Sequence, residues 1–277
     1  MKISFYILFL LLVINKNAFS QEINGYFLQI IDCNNNILMS KKFKKHKIDS
    51  SEINLLLIKT IENKIDNGYP FASLISDSIV IKNKIINFYY SLKDGNFYKI
   101  DNIYFPNKPK ISNNYIFHTI DIYPKSSFSH KLYSKIDDKI NNCEFISTLK
   151  PSEIEFHSND ADIYMYLQKI PSNMIEGILT ILYDEKYYLA GNCAINLINN
   201  LGQGEKFNFI WKGYKNKSQE LSTYFSMPYI FNSPTNISTA ININKSDTTS
   251  MNFIITPNIG YKINHNLLIN TNIKYSL

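Results

Sequence analysis

The residue types that usually carry catalysis or bind metals are scattered through this 277-residue chain. No nucleophile elbow or phosphate loop is present, and Gly202-Gln203-Gly204 is too short for a nucleotide site. The acidic neighbours Asp137-Asp138, and Asp160 with Asp162, fit a helix surface and a turn better than a catalytic pair. We therefore predict no enzyme activity, no cofactor and no metal site. The histidines show neither an HxH nor an HExxH spacing: His46, His118, His130, His157 and His265.

The strongest pattern is an alternation along residues 173–277, in which odd-numbered positions are apolar or aromatic and even-numbered positions lean polar. Phe207, Phe209 and Trp211 alternate with Lys206 and Asn208. A period of two indicates β-strands with one apolar and one polar face. Repeated segments of about ten residues are typical of a transmembrane β-barrel, whose lipid side is apolar and whose lumen is polar. Seven strands are predicted, at about 173–183, 187–198, 204–214, 219–227, 235–245, 250–261 and 266–276.

A soluble β-sandwich or half-exposed sheet would alternate in the same way. Two features favour the membrane barrel. The segments are longer than the usual five or six residues of a strand, and the polar face is mostly Asn, Ser and Thr rather than charged residues, which suits a confined lumen.

The N-terminus predicts a secretory signal peptide over residues 1–20. Lys2 precedes the apolar run from Ile3 to Ile14, and Ala18-Phe19-Ser20 offers small residues before Gln21. A buried helix or a membrane anchor fits less well, because the run is short and ends in polar residues. No later apolar stretch is long enough for a transmembrane helix.

Charge and cysteine content give weaker indications. The net charge is +6, every basic residue is lysine, and the run from Lys41 to Lys47 is interpreted as a solvated linker that could alternatively touch anionic headgroups or acidic partners. The abundance of Asn, Ile and Lys suggests an AT-rich genome, and we predict no nucleic-acid partner. Cys33 and Cys143 could pair in an oxidising compartment, but their spacing does not require it, and free thiols are the default for both and for Cys193.

Residues 21–170 are predicted to hold two α+β units, 21–96 and 97–170, of the order β-α-α-β-β. In the first, a strand at 25–31 precedes a helix whose apolar stripe repeats every four residues, and strands at 71–81 and 84–92 follow. In the second, a strand at 98–105 precedes helices capped by Ser112 and Ser129. Strands around 154–156 and at 162–169 close that unit. An all-β antiparallel meander at 171–277 completes the chain.

The chain resembles the BamA/TamA family of outer-membrane proteins, in which POTRA domains precede a β-barrel. Gly68-Tyr69-Pro70-Phe71-Ala72 is similar to the helix exit of a POTRA domain, and residues 92–103 are similar to the passage between two POTRA domains. Ser172-Asn173 with Gly177 resembles the start of the barrel, and residues 189–192 and 199–205 resemble its first hairpins. Six glycines at turns, a helix end or outward strand positions are predicted to be structural: Gly68, Gly95, Gly177, Gly191, Gly202 and Gly204.

This resemblance implies an outer-membrane assembly or insertion factor of a diderm bacterium, with its POTRA domains in the periplasm. Its partners would be unfolded outer-membrane or secreted polypeptides, outer-membrane lipid and accessory assembly proteins. Clients would bind by β-augmentation at two POTRA edges, 71–81 and 162–169, and at the first barrel strand, 173–183. The implied client-binding residues are Phe71, Leu74 and Ile79 on the first edge, Ile163 and Met165 on the second, and Ile175, Leu179 and Ile181 on the barrel strand.

Three questions stay open at the level of sequence. The same fold could serve polypeptide translocation or secretion, and a periplasmic interaction module with a degenerate barrel is a further alternative. About seven strands cannot close a barrel, since the smallest have roughly eight, so an incomplete barrel is expected. A truncated or split gene product would account for it, as would a second chain that supplies the missing strands.

Overall fold

A computed structural model describes residues 25–32, 34–43, 50–184, 186–214, 218–246, 250–264 and 267–277. The predicted signal peptide and Cys33 lie outside these residues. The chain divides into two compact units, one of residues up to 98 together with 128–130, and one of residues 99–127 and 131–277. Within the described residues, no helix is both long and apolar enough to cross a membrane.

The first unit is a four-stranded sheet with one described helix. Its elements are β1 (Gly25–Ile31), β2 (Ile37–Phe43), α1 (Ser50–Ile65), β3 (Ser73–Lys82) and β4 (Ile85–Lys93), and the strand order is β2-β1-β4-β3. β1 runs parallel to β4, and the other pairs are antiparallel. The apolar stripe of α1 supplies Ile53 and Leu57 to a core that includes Leu28, Ile30 and Ile86.

β2 corrects the interpretation of the basic run. Lys41 and Lys42 lie in this edge strand and are exposed, so the described part of the run is not a linker. Lysines on an edge strand discourage further strands from adding to the sheet, which gives a physical reason for their position.

The second unit begins with an α+β part. Its elements are β5 (Lys99–Tyr104), α2 (Asn113–Ile120), α3 (His130–Tyr133), α4 (Ile136–Asn141), β6 (Ile146–Thr148), β7 (Glu153–Phe156), β8 (Asp160–Tyr164) and β9 (Leu167–Lys169). The hydroxyl of Ser112 caps α2 as predicted, accepting a hydrogen bond from the backbone N–H of Tyr115 at 3.1 Å. The strand predicted at 162–169 is in fact two strands, because β8 joins the sheet β5-β8-β7 whereas β9 pairs with β6.

The strand array follows in the same unit as an antiparallel meander. Its strands are β10 (Met174–Asp184), β11 (Lys186–Ile198), β12 (Lys206–Gly213), β13 (Gln219–Ile230), β14 (Thr235–Ser246), β15 (Ser250–Asn264), β16 (Leu267–Asn272) and β17 (Tyr275–Ser276). The last predicted strand is interrupted at Ile273, whose N–H donates to the carbonyl of Pro257. Proline has no backbone N–H, so Pro257 cannot donate a hydrogen bond to the neighbouring strand. Both β16 and β17 pair with β15.

The described part of this sheet is not closed into a barrel, and β10 is an edge strand. Two α+β units followed by an open antiparallel meander confirm the predicted fold class.

Candidate client-binding surfaces

The two faces of the strand array are separated by parity, as the alternation predicts. In the register of every strand pair from β10 to β16, odd residues oppose odd residues and even oppose even, apart from shifts at the ends of β13 and β15. The row Trp211, Leu221, Ile243 and Phe253 crosses four strands on the odd face. A continuous apolar face therefore runs across the whole sheet.

β10 presents an edge of its backbone together with exposed apolar side chains. Ile175, Leu179 and Ile181 are 73%, 61% and 70% exposed. The start of the strand is fixed by Asn173, whose side-chain oxygen accepts the N–H of Ile198 at 2.9 Å and whose amide donates to Asn200 at 2.8 Å.

Gly177 lets β10 and β11 approach closely. A Cβ at this position would lie 2.6 Å from the carbonyl oxygen of Asn192, so any other residue would push the strands apart. The other glycines predicted to be structural all have positive φ: Gly68, Gly95, Gly191, Gly202 and Gly204.

β3 is the edge strand opposite β2 in the sheet of the first unit. Leu74 and Ile79 are partly buried and pack against the core. Phe71 precedes the strand and its ring meets that of Tyr98 edge-on at 5.5 Å. These side chains therefore anchor the edge, and its backbone is the part that faces outward.

The part of the predicted edge 162–169 that lies in β8 is wrong, whereas β9 pairs only with β6. β8 is the central strand of its sheet, with β5 parallel on one side and β7 antiparallel on the other. Ile163 and Met165 are completely buried and cannot contact a client. The sequence carries no signal for this, because Asp160 and Asp162 alternate with Ala161 and Ile163, as in a strand with one exposed face. β7, in which Glu153 and Glu155 alternate with Ile154 and Phe156, is an edge strand of this sheet.

Helix α2 docks on the end of β13, a contact that sequence reasoning did not find. The imidazole of His118 stacks on the ring of Tyr229 with centroids 4.8 Å apart and planes at 15°. Tyr115 meets the same ring edge-on at 5.5 Å. The amide of Asn114 donates to the carbonyl of Tyr229 at 3.0 Å. Tyr229 thus fixes the α+β part against the strand array.

The turn between β11 and β12 makes a second attachment. The carbonyl of Gly202 accepts the N–H of Ser112 at 2.6 Å, and the amide of Asn199 donates to the carbonyl of Lys110 at 3.3 Å. Lys206 forms an ion pair with Glu144 at 2.7 Å. The residues resembling a first barrel hairpin therefore also hold the preceding domain.

A polar cavity of about 380 Å³ lies beneath this junction on the even face. Tyr115 and Gly204 line it from above. Asn236 and Asn270 flank Gly260 on adjacent strands, and the side-chain oxygen of Asn236 is buried without a hydrogen-bond partner. The strand residues lining the cavity are mainly even-numbered: Lys206, Tyr224, Ser226, Pro228, Asn236, Ser238, Asn258, Leu268 and Asn270. The cavity therefore lies on the even, polar face of the sheet.

Gly204→Ala is expected to destabilise the junction. Position 204 has φ of +76°, and a Cβ there would overlap the ring of Tyr115. Left-handed backbone costs a non-glycine residue about 1–2 kcal/mol, and overpacking adds roughly 1–3 kcal/mol.

Gly202→Ala is the matched control for this prediction. Its φ is +81°, but the nearest heavy atom to its Cβ would be 3.4 Å away, so only the backbone cost applies. Urea denaturation should give a clearly larger loss for Gly204→Ala, and equal losses would contradict an essential contact with Tyr115.

The contact of His118 with Tyr229 is expected to weaken in acid. Burial lowers the pKa of His118 below its ordinary value, against smaller opposing effects of the Asn232 backbone and Asp121. A depressed pKa in the folded state means that stability is complete above about pH 6.5, the unfolded value. It is lost as pH falls through the folded value, since the unfolded state binds the proton more readily.

His118→Phe keeps an aromatic ring for the stack and removes the titration. The protection factors of the α2 amides, which correct for slower intrinsic exchange in acid, should fall between pH 7.5 and 5 in the wild type and change less in His118→Phe. Identical pH profiles would show that another group controls the acid response.

Comparison with known structures identifies the architecture. BamA from Haemophilus ducreyi lacking POTRA domains 1–3 matches with a TM-score of 0.57 at 13% sequence identity, over 84% of this chain and 46% of that chain. The chain has a BamA-like fold. CdiB from Acinetobacter baumannii matches with a TM-score of 0.47 at 10% identity, over 88% of this chain and 48% of that one.

The chain spans about half the length of these structures. No protein-family model matches the sequence, and no curated protein is similar to it in sequence. The BamA-like likeness is thus one of fold: POTRA-like α+β units that lead into an antiparallel strand array.

Proposed function

We propose that this protein is an outer-membrane assembly factor that captures unfolded client strands at the edge of β10. The observation that carries the proposal is the combination of an apolar face across the whole strand array with an open first strand. The chemistry is binding through backbone hydrogen bonds, and it requires no cofactor.

The apolar face supports placement of the strand array in the outer membrane, with the POTRA-like units in the periplasm. An unpaired backbone N–H or C=O in hydrocarbon costs several kcal/mol. The open edge of β10 therefore needs strands from elsewhere, either from a barrel completed by additional sequence or a second chain, or from a client. A client strand that pairs with β10 removes this cost, because it provides hydrogen-bond partners for the open edge. The client strand is thereby inserted into the membrane.

The periplasmic edges β3 and β7 would hold clients before insertion. Strand addition supplies affinity through the main chain and leaves side-chain selectivity low, which suits a factor that handles many sequences. Accessory assembly proteins could use the same edges.

Translocation of a polypeptide is the second candidate function, favoured by the polar cavity beneath α2. Asparagine and serine side chains on the inner face can exchange hydrogen bonds with a passing main chain. The two functions differ in where the client ends, in the membrane or beyond it.

Site-specific cross-linking tests the capture step. A photo-reactive residue in place of Leu179 should cross-link to a client arrested during assembly, whereas the same residue in place of Thr223, inside the sheet on β13, should not. Equal cross-linking at both positions would contradict a specific edge. Protease protection of the released client then separates insertion from translocation.

A further inference from the structure

A groove of about 220 Å³ lies on the odd face at the end of the strand array away from α2. α2 contacts Tyr229 near the end of β13, whereas the groove involves Leu221 near its beginning. If the POTRA-like units are periplasmic, this groove lies at the cell-surface side of the membrane.

The groove exists because Trp211 lies over Gly213. A Cβ at position 213 would be 2.7 Å from the indole ring, so only glycine lets the ring turn along the strand toward the sheet end. Leu221 and Ile243 follow Trp211 in one cross-strand row, and Met251 completes the apolar wall. The resulting slot is open to the surroundings of the sheet.

One cation stands at the rim of this slot. Lys245 is exposed on the odd face, directly opposite Gln219 and Met251 in register. Glu220 also lines the groove, but it lies opposite Lys212 in register and receives a hydrogen bond from the hydroxyl of Tyr214. The hydroxyl of Tyr214 thus partners this carboxylate, and Lys245 is the lysine that lines the groove.

We propose that this groove binds a lipid whose phosphate-bearing headgroup has a net negative charge. One acyl chain lies along Trp211, Leu221 and Ile243, and the phosphate pairs with the ammonium group of Lys245. The inference rests on the proposed placement in the outer membrane.

The position along the strand fits this occupant. Tryptophan and lysine concentrate where hydrocarbon meets headgroups, and a lysine stem can lie along apolar surface while its ammonium reaches the phosphate level. Charge complementarity distinguishes this lipid from a neutral one, since the groove otherwise offers the same apolar contact to any acyl chain.

Trp211 makes the test direct because it is the only tryptophan in the chain. The full chain is reconstituted in bilayers containing brominated phosphatidylglycerol or brominated phosphatidylcholine, and quenching of the indole fluorescence is compared. We expect the anionic lipid to be preferred at Trp211 by about fivefold, the effect of one lysine near an anionic headgroup. Lys245→Gln should reduce this preference to near one.

Lys186→Gln is the matched control, because Lys186 is an exposed lysine at the same end of the sheet but outside the groove. It should keep the preference, and losing it there as well would overturn the assignment to Lys245. Equal quenching by both lipids in the wild type would overturn the lipid site and leave the proposed function intact. Quenching by neither lipid would overturn both, since the odd face would then lie outside the bilayer.

Discussion

Ile241→Lys is expected to remove the protein from the outer membrane, whereas Asn242→Lys is expected to be tolerated. The two residues are neighbours in the middle of β14 and differ only in the face they occupy. Ile241 lies in an odd row with Thr223 and Ile255, and Asn242 lies in an even row with Ser222 and Ile254. A lysine on the lipid side near the bilayer centre costs about 2–4 kcal/mol, while the lumen accepts charge.

The measurement is the amount of folded protein in outer-membrane fractions that resists urea extraction. Ile241→Ala is the control for side-chain loss without charge, and it should remain largely in the membrane. If both lysine variants behaved alike, the parity of the sheet would not correspond to lipid and water. Soluble periplasmic recovery of the wild type would favour an interaction module over an embedded barrel.

Proline in β10 is expected to reduce client insertion by about fivefold or more when it removes a donor from the open edge. Consecutive N–H groups of a strand point to opposite sides, so proline at Leu179 and proline at Thr180 remove donors from opposite sides of β10. One variant loses a hydrogen bond to β11, and the other loses a donor at the free edge. A missing backbone partner costs roughly 1–3 kcal/mol.

We therefore expect the two proline variants to differ in stability. The edge-side variant should keep its resistance to urea and lose client insertion, and the hairpin-side variant should lose stability as well. Ile181→Pro should behave like Leu179→Pro, because both residues face the same way. Leu179→Ala, which keeps the N–H, should insert clients normally. Undiminished insertion in both proline variants would remove β10 from the mechanism.

The two faces of the strand array can be predicted from the local sequence pattern. The odd positions of residues 173–277 were assigned to one face from alternation alone, and the cross-strand register places them there. This works because the side-chain period of a strand is two, so one misplaced residue would move every later side chain to the other face. The cap at Ser112 was equally predictable, since it depends only on residues three apart.

The order of the strands in the sheets of the α+β units cannot be predicted from the local sequence pattern. Strand β8 and edge strand β7 both carry apolar residues, and their order in the sheet depends on β5, which lies some 50 residues earlier. A strand lies at the edge of a sheet when it pairs with another strand on one side only. Its own sequence says little about which strands pair with it. The second predicted edge was wrong for this reason.

The sequence by itself determined the fold class, the two faces of the strand array and most of its strands, because these follow from spacing within about ten residues. Tertiary structure alone decided that β8 is buried, that His118 stacks on Tyr229 and that Trp211 and Lys245 line one groove. Each of these depends on chain segments brought together by folding, and close approach of atoms, unlike periodicity, is not encoded in any single segment.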